Sequence, residues 1–179
     1  MTYNDLRELC ELRRSVRYYA DKPVDTETLL KIIDVGRLAP NIENTQPWHF
    51  HIIKNKELQT RLSESVCYGN FVLGAGAFIV VSCNKDVRPT NQETIWNPRE
   101  IDFSCVSAMS FMMLAATSMN LGSCWVSMHH GAPHELLKLP KSHIVVGGLM
   151  IGHLKAGEET LSNGGHTRKP LKETYTIYE

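Results

Sequence analysis

The segment Ala39–Phe50 constrains the fold of this chain more than any other stretch. It reads Ala-Pro-Asn-Ile-Glu-Asn-Thr-Gln-Pro-Trp-His-Phe. Apolar residues recur at helical spacing before it, and after its tryptophan the sequence alternates as a strand does. Pro40 ends the helical pattern, and Pro47 biases Gln46 towards an extended backbone. The sequence therefore predicts a stiff connection between a helix and a strand.

Three carboxamides, Asn41, Asn44 and Gln46, lie on this connection. Carboxamides offer both donors and acceptors, so a stiff loop that holds three of them suits a heterocycle with alternating N–H and C=O groups. A second interpretation is a helix–strand connection whose amides bond only to their own backbone turns. The loop alone leaves both interpretations open.

Length and charge narrow the class of protein. The chain has 179 residues, a 42% apolar fraction and a formal net charge of zero. This length fits a single domain, 1–179, with a substantial core. A neutral chain gives no reason to expect nucleic acid or an anionic membrane as a partner. The N-terminal residues do not resemble a signal peptide. The five cysteines include no C-x-x-C pair and lie mostly in apolar runs, which predicts reduced, buried thiols in a cytoplasmic protein.

Periodicity and turn residues predict the order of helices and strands. The predicted helices are a first one capped by Asn4 with the apolar stripe Leu6, Leu9, Cys10 and Leu12, then Thr26–Leu38 capped by Asp25, Glu57–Val66, and Pro98 to about Asn120. The predicted strands are Trp48–Lys54, Ala77–Cys83, Ser123–Met128 and His143–Ile151. The glycine-rich stretch 69–76 reads as a turn-rich connection, and Trp96 as an anchor in a polar segment.

The long helix carries apolar residues on most sides. Serines and threonines interrupt its most apolar part, Phe103–Leu121, which favours a core helix over a membrane span. A helix that is apolar nearly all round needs burial on several sides, so we expect a second subunit to cover part of it. The alternative is a central helix within a monomer.

A basic segment, Arg13-Arg14-Ser15-Val16-Arg17, follows the first predicted helix. Guanidinium groups bond to two phosphate oxygens at once and a hydroxyl adds a donor, so the basic segment predicts an anion site. The alternative is a solvated helix end, where cations meet the negative end of the helix dipole.

The sequence gives little support for a metal site, a dinucleotide-binding motif or nucleophilic catalysis. The histidines at 129, 130, 134 and 143 lack the spacing of a metal motif. The Gly74-Ala75-Gly76 run has Ile79 where a dinucleotide fingerprint needs glycine. There is no Ser/His/Asp or Cys/His motif for nucleophilic catalysis, so we expect no catalytic side chain and no bound metal.

These motifs, taken in order, resemble the short members of the FMN-dependent nitroreductase family. The resemblance rests on Arg-Arg-Ser-Val-Arg at 13–17, Ala-Pro at 39–40 followed by Asn-Thr-Gln-Pro-Trp at 44–48, Leu-Gly-Ser-Cys-Trp at 121–125, and Thr-Arg-Lys-Pro-Leu at 167–171. It implies an α+β fold with a central, mainly antiparallel sheet flanked by helices, and an intertwined homodimer with two FMN molecules in its interface.

The same resemblance assigns the cofactor-binding residues. It implies that Arg13, Ser15 and Arg168 or Lys169 hold the ribityl phosphate, with Arg14 beside them, and that Arg17 lies near flavin N1. Pro40, Asn41, Asn44 and Gln46 would line the flavin, partly from the second subunit. The segment Ser127–Gly131, including Ser127 and His129, would pass the N5 side.

Two departures bear on the substrate. Glu43 brings a negative charge close to the expected flavin, and Met128-His129-His130 stand where a small or acidic pattern is expected. The resemblance implies ping-pong transfer of two electrons from NAD(P)H through FMN to a nitroaromatic, a quinone or a similar small acceptor. A flavin carrier or electron-transfer module without NAD(P)H turnover is the alternative, and an enzyme that fragments flavin is a third. The sequence does not choose between NADH and NADPH.

Overall fold

The computed structural model describes residues 1–67, 69–88, 95, 97–129, 131–156 and 168–178. Trp96, His130 and Thr167 lie outside these ranges. The helices are α1 Tyr3–Leu12, α2 Thr26–Gly36, α3 Lys56–Ser63, α4 Arg99–Ser118 and α5 Gly131–Leu136, and the strands are β1 Trp48–Ile53, β2 Ala77–Asn84, β3 Leu121–Val126 and β4 His143–His153. Short 3₁₀ segments occupy Ile42–Asn44, Gly69–Gly74 and Leu171–Glu173.

The strands form one antiparallel sheet in the order β1-β2-β4-β3. Trp48 pairs with Cys83 at one end of β1 and Ile53 pairs with Phe78 at the other. A register shift between Val81 and Ser82 interrupts the pairing of β2 with β4. The predicted α+β fold with an antiparallel sheet is confirmed.

Residues on the two faces of the sheet belong to two separate cores. Strand β2 is buried along almost its whole length. Ile79 and Val81 pack in one apolar cluster with residues of α2 and α4. Phe78 and Val80 belong to the other cluster, with residues of α3 and the 3₁₀ segment Gly69–Gly74. The continuous apolar run of β2 follows from this burial on both faces.

Helix α4 buries one stripe and leaves part of its surface open. Its buried positions recur three and four residues apart, from Ile101 to Ala116. Phe103, on another side, is 57% exposed. Within the described residues, α4 is a helix long and apolar enough to cross a membrane. A core helix passes the same test, and α4 contributes its buried stripe to the core on one sheet face.

Several predicted boundaries were wrong. Thr2, and not Asn4, caps α1, because Thr2 and Asp5 form a reciprocal capping box. Asp25 caps α2 as predicted, but that helix ends at Gly36, two residues before Leu38. Helix α3 starts at Lys56 and ends at Ser63. Strand β1 ends at Ile53, while β2 and β4 extend to Asn84 and His153.

The end of α4 holds the largest boundary error. The helix was predicted to reach about Asn120 and the next strand to span Ser123–Met128, but α4 ends at Ser118 and β3 spans Leu121–Val126. Asn120, between them, has a left-handed backbone with φ 57°. Gly122 allows close packing, because a Cβ there would lie 2.9 Å from Val16 Cβ. Helix α5 was not predicted, since its six residues are too short for a clear period.

The prediction of buried cysteines holds for some positions only. Cys83, Cys105 and Cys124 are buried, whereas Cys10 and Cys67 are exposed. Cys10 lies on α1, a helix with no residue buried within this chain. Leu9 is half-buried and Leu12 is 42% exposed, so the apolar stripe of α1 is only partly covered among the described residues of a single chain.

Candidate functional site

The basic segment 13–17 is extended and runs beside β3. Ser15 and Ser123 form a parallel bridge, and the Val16 N–H donates to the Ser123 carbonyl over 2.9 Å. The Tyr19 hydroxyl donates to the Val16 carbonyl over 2.6 Å, and burial strongly raises the pKa of this phenol. Arg13 is the C-cap of α1, as the alternative of a helix end predicts, whereas Ser15 and Arg17 lie beyond the helix in the extended segment.

Alternation along the segment brings Arg13, Ser15 and Arg17 to one place. All three act on the thiol of Cys124 in β3. Burial raises the pKa of this thiol, and Arg17, a hydrogen bond from Ser15, and Arg13 oppose the rise. The Arg17 guanidinium carbon lies 6.0 Å from the centre of the Phe71 ring. Two cations and a hydroxyl thus converge beside one edge of the sheet.

Arg14 lies apart from these three side chains. It lines a small cleft with Leu12 of α1, Thr117 of α4 and Leu154 after β4. The structure therefore separates Arg14 from the group that surrounds Cys124.

The segment after β3 pairs with the segment after α3. The Cys67 N–H donates to the Ser127 carbonyl over 3.2 Å, and the His129 N–H donates to the Ser65 carbonyl over 2.8 Å. Val66 and Met128 form the bridge between these bonds, and both are buried. The exposed side chains of this ladder are Cys67, Ser127 and His129.

Phe71 connects this ladder to the basic group. It packs against the apolar cluster that contains Val66 and Met128, and its ring lies below Arg17. Cys67 was not predicted as a site residue. No local sequence signal identifies it, because its position depends on a bridge between segments about sixty residues apart.

The loop between α2 and β1 has an unusual backbone. Glu43, Asn44 and Gln46 have φ of 45°, 52° and 48°. Such values are uncommon for residues other than glycine and mark local strain. The prediction that Gln46 is extended was wrong. Its N–H donates to Asn41 Oδ1 over 2.8 Å, and this bond closes the loop and holds the left-handed backbone.

The loop amides also bond to the loop itself. Asn41 Nδ2 donates to the Ala39 carbonyl over 3.3 Å, and Gln46 Nε2 lies 3.3 Å from Asn44 Oδ1. The interpretation as a self-satisfied turn is therefore correct for these bonds. Each amide has more hydrogen-bonding positions than these contacts use, and Asn44 and Gln46 are exposed. The loop can both hold its own shape and bind a ligand.

Helix α4 fixes the position of this loop. The Ile42 N–H donates to Ser104 Oγ over 3.0 Å, and that hydroxyl donates to the Glu100 carbonyl over 2.7 Å. A cleft of about 450 Å³ lies between loop and helix. Its lining residues are Pro40, Asn41, Ile42, Glu43, Glu100, Phe103, Ser104 and Ser107.

The predicted site residues thus fall into separate groups within one chain. Within the described residues, no hydrogen bond or ion pair joins Arg13, Ser15 or Arg17 to the loop 40–46. Arg168 and Lys169 are exposed and precede the 3₁₀ segment Leu171–Glu173.

No group of three or more His, Cys, Asp and Glu side chains is placed to hold a metal ion in the part of the chain that the structure describes. His134, which the sequence placed in a histidine-rich segment, instead bonds through Nε2 to the Pro140 carbonyl at 3.1 Å.

Comparison with known proteins agrees with this architecture. The nitroreductase family model matches residues 11–98 and 67–153. A protein of Archaeoglobus fulgidus named NADH dehydrogenase/NAD(P)H nitroreductase is 30% identical over 148 residues, which cover 80% of this chain and 82% of that protein. An FMN reductase of Bacillus subtilis is 28% identical over 154 residues, covering 78% of this chain but only 62% of that protein.

Solved structures extend the likeness to nearly the whole chain. A nitroreductase family protein of Clostridium difficile superposes with a TM-score of 0.79 at 29% identity, covering 100% of this chain and 99% of the other. A nitroreductase of Desulfovibrio desulfuricans, crystallised in complex with FMN, gives a TM-score of 0.78 at 26% identity and covers 99% of both chains. This chain belongs to the nitroreductase family, as the sequence motifs predicted.

Proposed function

We propose that this protein is an FMN-dependent oxidoreductase that passes two electrons from NAD(P)H to a small oxidised acceptor. The observation that carries the proposal is the convergence of Arg13, Ser15 and Arg17 beside β3. The family membership and the FMN-containing structural relative support the same cofactor.

The donor set fits a flavin mononucleotide. A phosphate dianion needs clustered cations and hydroxyl donors, which Arg13 and Ser15 supply. Arg168 and Lys169 are exposed cations that would complete this group. Because the Val16–Ser123 bond holds the segment against β3, the phosphate group would meet side chains that are already positioned.

Arg17 has a separate role in the proposal. Its guanidinium lies over the Phe71 ring, on the same edge as the segment Ser127–His129. A fixed cation near the pyrimidine part of a flavin stabilises negative charge that develops there on reduction. FMN, when bound, supplies the redox chemistry by accepting a hydride from NAD(P)H and returning two electrons to the acceptor. The chain then needs no nucleophile.

We further propose a homodimer whose partner contributes the loop 40–46 to each site. The exposed apolar surface supports this assembly. Phe103 on α4 is 57% exposed, and α1 buries none of its residues within the chain. The exposed apolar residues of the C-terminal segment are Leu171, Tyr175, Ile177 and Tyr178. Covering such surfaces is a common reason for stable association.

The acceptor we propose is a small nitroaromatic or quinone. The donor and the acceptor would use the same face of the cofactor in turn, which gives ping-pong kinetics. Glu43 and Glu100 line the cleft beside the loop, and their charges disfavour anionic acceptors. We place the protein in the cytoplasm, in line with its free cysteines.

Anaerobic stopped-flow mixing of the FMN-loaded protein with NADH, and separately with NADPH, tests the proposal. Rapid bleaching of the visible flavin band, followed by its return when a quinone or a nitroaromatic is added, is expected. A protein that binds FMN but bleaches with neither nucleotide would contradict the enzyme and favour the flavin carrier.

A further inference from the structure

A cluster of histidines surrounds a buried serine on one face of the sheet. Ser82 in β2 is 0% exposed. Its Oγ lies 2.9 Å from His51 Nε2 in β1 and 3.1 Å from His143 Nδ1 in β4. The ring of His49 lies 4.7 Å from that of His51 and 6.3 Å from that of His143, centre to centre. Neither the sequence motifs nor the proposed redox site involves this cluster.

The hydroxyl limits how many protons the cluster can hold. A serine hydroxyl has one hydrogen to donate and can accept from two donors. With both imidazoles neutral, Ser82 donates to one ring and accepts from the other. One protonated ring still leaves this pattern intact. If His51 and His143 are both protonated, both rings donate, and the buried hydroxyl hydrogen loses its acceptor while two positive charges face each other.

The surrounding groups do little to stabilise positive charge on His51 and His143. Burial lowers the pKa of His51 to about 4, helped by His49 and His143. Burial also lowers the pKa of His143, helped by His49 and by His134 of α5, and only Asp86 opposes this change. The titratable groups that change the pKa values of His51 and His143 are therefore mostly histidines. They are His49 of β1, His134 of α5 and Asp86, which follows β2.

The cluster lies next to the anchor of the loop between α2 and β1. The Asn84 N–H donates to the Pro47 carbonyl over 2.8 Å, and Trp48 pairs with Cys83. Ser82 and His49 are the next paired residues along the same two strands. Repulsion within the cluster acts on the strand pair that holds this loop in place.

We propose that the His51–Ser82–His143 cluster is an acid-sensitive switch that loosens the junction of β1, β2 and β4, and with it the loop 40–47, when both histidines are protonated. The consequence for stability has a definite sign. Unfolded His51 takes up its proton near pH 6.5, but folded His51 does so near pH 4. Between these values the unfolded state binds more protons. The stability that neutral His51 contributes is therefore fully present above pH 6.5 and falls as the pH drops towards 4.

Denaturant unfolding at a series of pH values tests the switch. A pKa depressed from 6.5 to about 4 changes the unfolding equilibrium constant by at most ~300-fold. Partial solvent access reduces this effect. Between pH 7 and pH 4 we therefore expect the unfolding equilibrium constant of the wild type to rise roughly ten- to a hundredfold more than that of His51→Gln. The Gln amide replaces the Nε2 hydrogen bond without titrating. His153→Gln, also on a strand of this sheet, is the control and should keep the wild-type dependence. Equal pH dependence of His51→Gln and wild type would overturn the proposal.

A second measurement covers the case in which His51→Gln does not fold. The ring-proton NMR signals of the wild-type histidines, followed through the same pH range, report each protonation directly. The His51 ring should stay neutral until the pH is well below 6.5, and its signals should move together with broadening of the β1 amides. The His143 ring should also take up its proton below its ordinary pKa, because burial lowers that pKa. Titration of both rings near 6.5 without any change in β1 would refute the switch.

The effect on the loop rests on the proposed FMN site and is tested separately. The FMN-loaded wild type should release flavin, seen as a rise in flavin fluorescence, over the acidic range in which β1 loosens. His143→Asn, which keeps a bonding group near Nδ1, should retain FMN to lower pH. A protein that binds no FMN at any pH contradicts the proposed function, while the unfolding and NMR measurements still decide the switch. Flavin release at the same pH in wild type and His143→Asn contradicts the link to the loop.

Discussion

The N–H of Val16 donates a hydrogen bond to the carbonyl of Ser123 over 2.9 Å, and this bond turns the segment after α1 into a neighbour of β3. Residues on either side of Val16 therefore face the same way. Arg13, Ser15 and Arg17 all lower the pKa of the Cys124 thiol, against the effect of burial, whereas Arg14 lines a different cleft.

Arg13→Ala should weaken FMN binding more than it weakens the fold. A charge-assisted bond to phosphate contributes ~1.5–3 kcal/mol, so we expect roughly ten- to a hundredfold lower affinity. Arg14→Ala should lose less, because its side chain lies in the separate cleft. Calorimetric titration with FMN measures both. Arg7→Ala, which removes an exposed partner of Glu11 on α1, is the control. An equal loss in the Arg13 and Arg7 variants would rule out a phosphate role for Arg13.

Arg17→Ala should change the redox potential more than the binding of oxidised FMN. A cation near the reducible ring stabilises the reduced, more negative form. Its loss should lower the midpoint potential and slow hydride transfer from NAD(P)H, while oxidised FMN still binds. Spectroelectrochemistry and stopped-flow kinetics on the same sample make the comparison. An unchanged potential would mean that Arg17 does not face the ring.

Gly152→Ala should disturb the basic segment from below. A Cβ at this position would lie 2.5 Å from Tyr19 Cδ1 and 3.1 Å from the backbone N of Gly76. The Tyr19 ring has little freedom to move, because its hydroxyl bonds to Val16 and burial covers it. We expect a loss of about 1–3 kcal/mol in the free energy of unfolding, together with weaker FMN binding.

Gly74→Ala is the matched control for this substitution, since a Cβ there meets nothing within 4 Å. Chemical unfolding of both variants gives the comparison. If Gly152→Ala is as stable as Gly74→Ala, the packing of Tyr19 against β4 is not as close as the structure describes.

The protein should be a stable dimer at micromolar concentration. Phe103→Glu places a charge on the exposed part of α4 and should weaken the dimer by at least tenfold, along with FMN retention. Leu30→Glu, at an exposed position of α2, controls for the added charge. Light scattering coupled to size exclusion reports the mass. A wild-type protein that remains a flavin-loaded monomer would refute the shared site.

Much of the fold was predictable because its signals are local. The apolar run of β2, the cap at Asp25 and the helix–loop–strand unit around Pro47 each depend on neighbouring residues. Other features depend on contacts between distant segments. The left-handed backbone of Gln46 follows from a bond to Asn41, and the cap at Thr2 required a choice between two polar residues that only the structure makes.

The sequence predicted which residues belong to the candidate site better than it predicted how they are arranged in space. The motifs named Arg13, Ser15 and Arg17, but only the bridge to Ser123 separates them from Arg14. Cys67 and the serine–histidine cluster carry no sequence motif, because antiparallel pairing brings their members together. Spacing along the chain does not encode such pairings.

We propose above all that Arg13, Ser15 and Arg17 form a site for a flavin that carries a phosphate. Titrating the flavin-free protein with FMN and with riboflavin tests it most directly, because the two ligands differ only in the phosphate. We expect one FMN bound per chain and riboflavin binding at least tenfold more weakly, with Arg13→Ala abolishing most of that difference. Equal affinity for FMN and riboflavin in the wild type would contradict it.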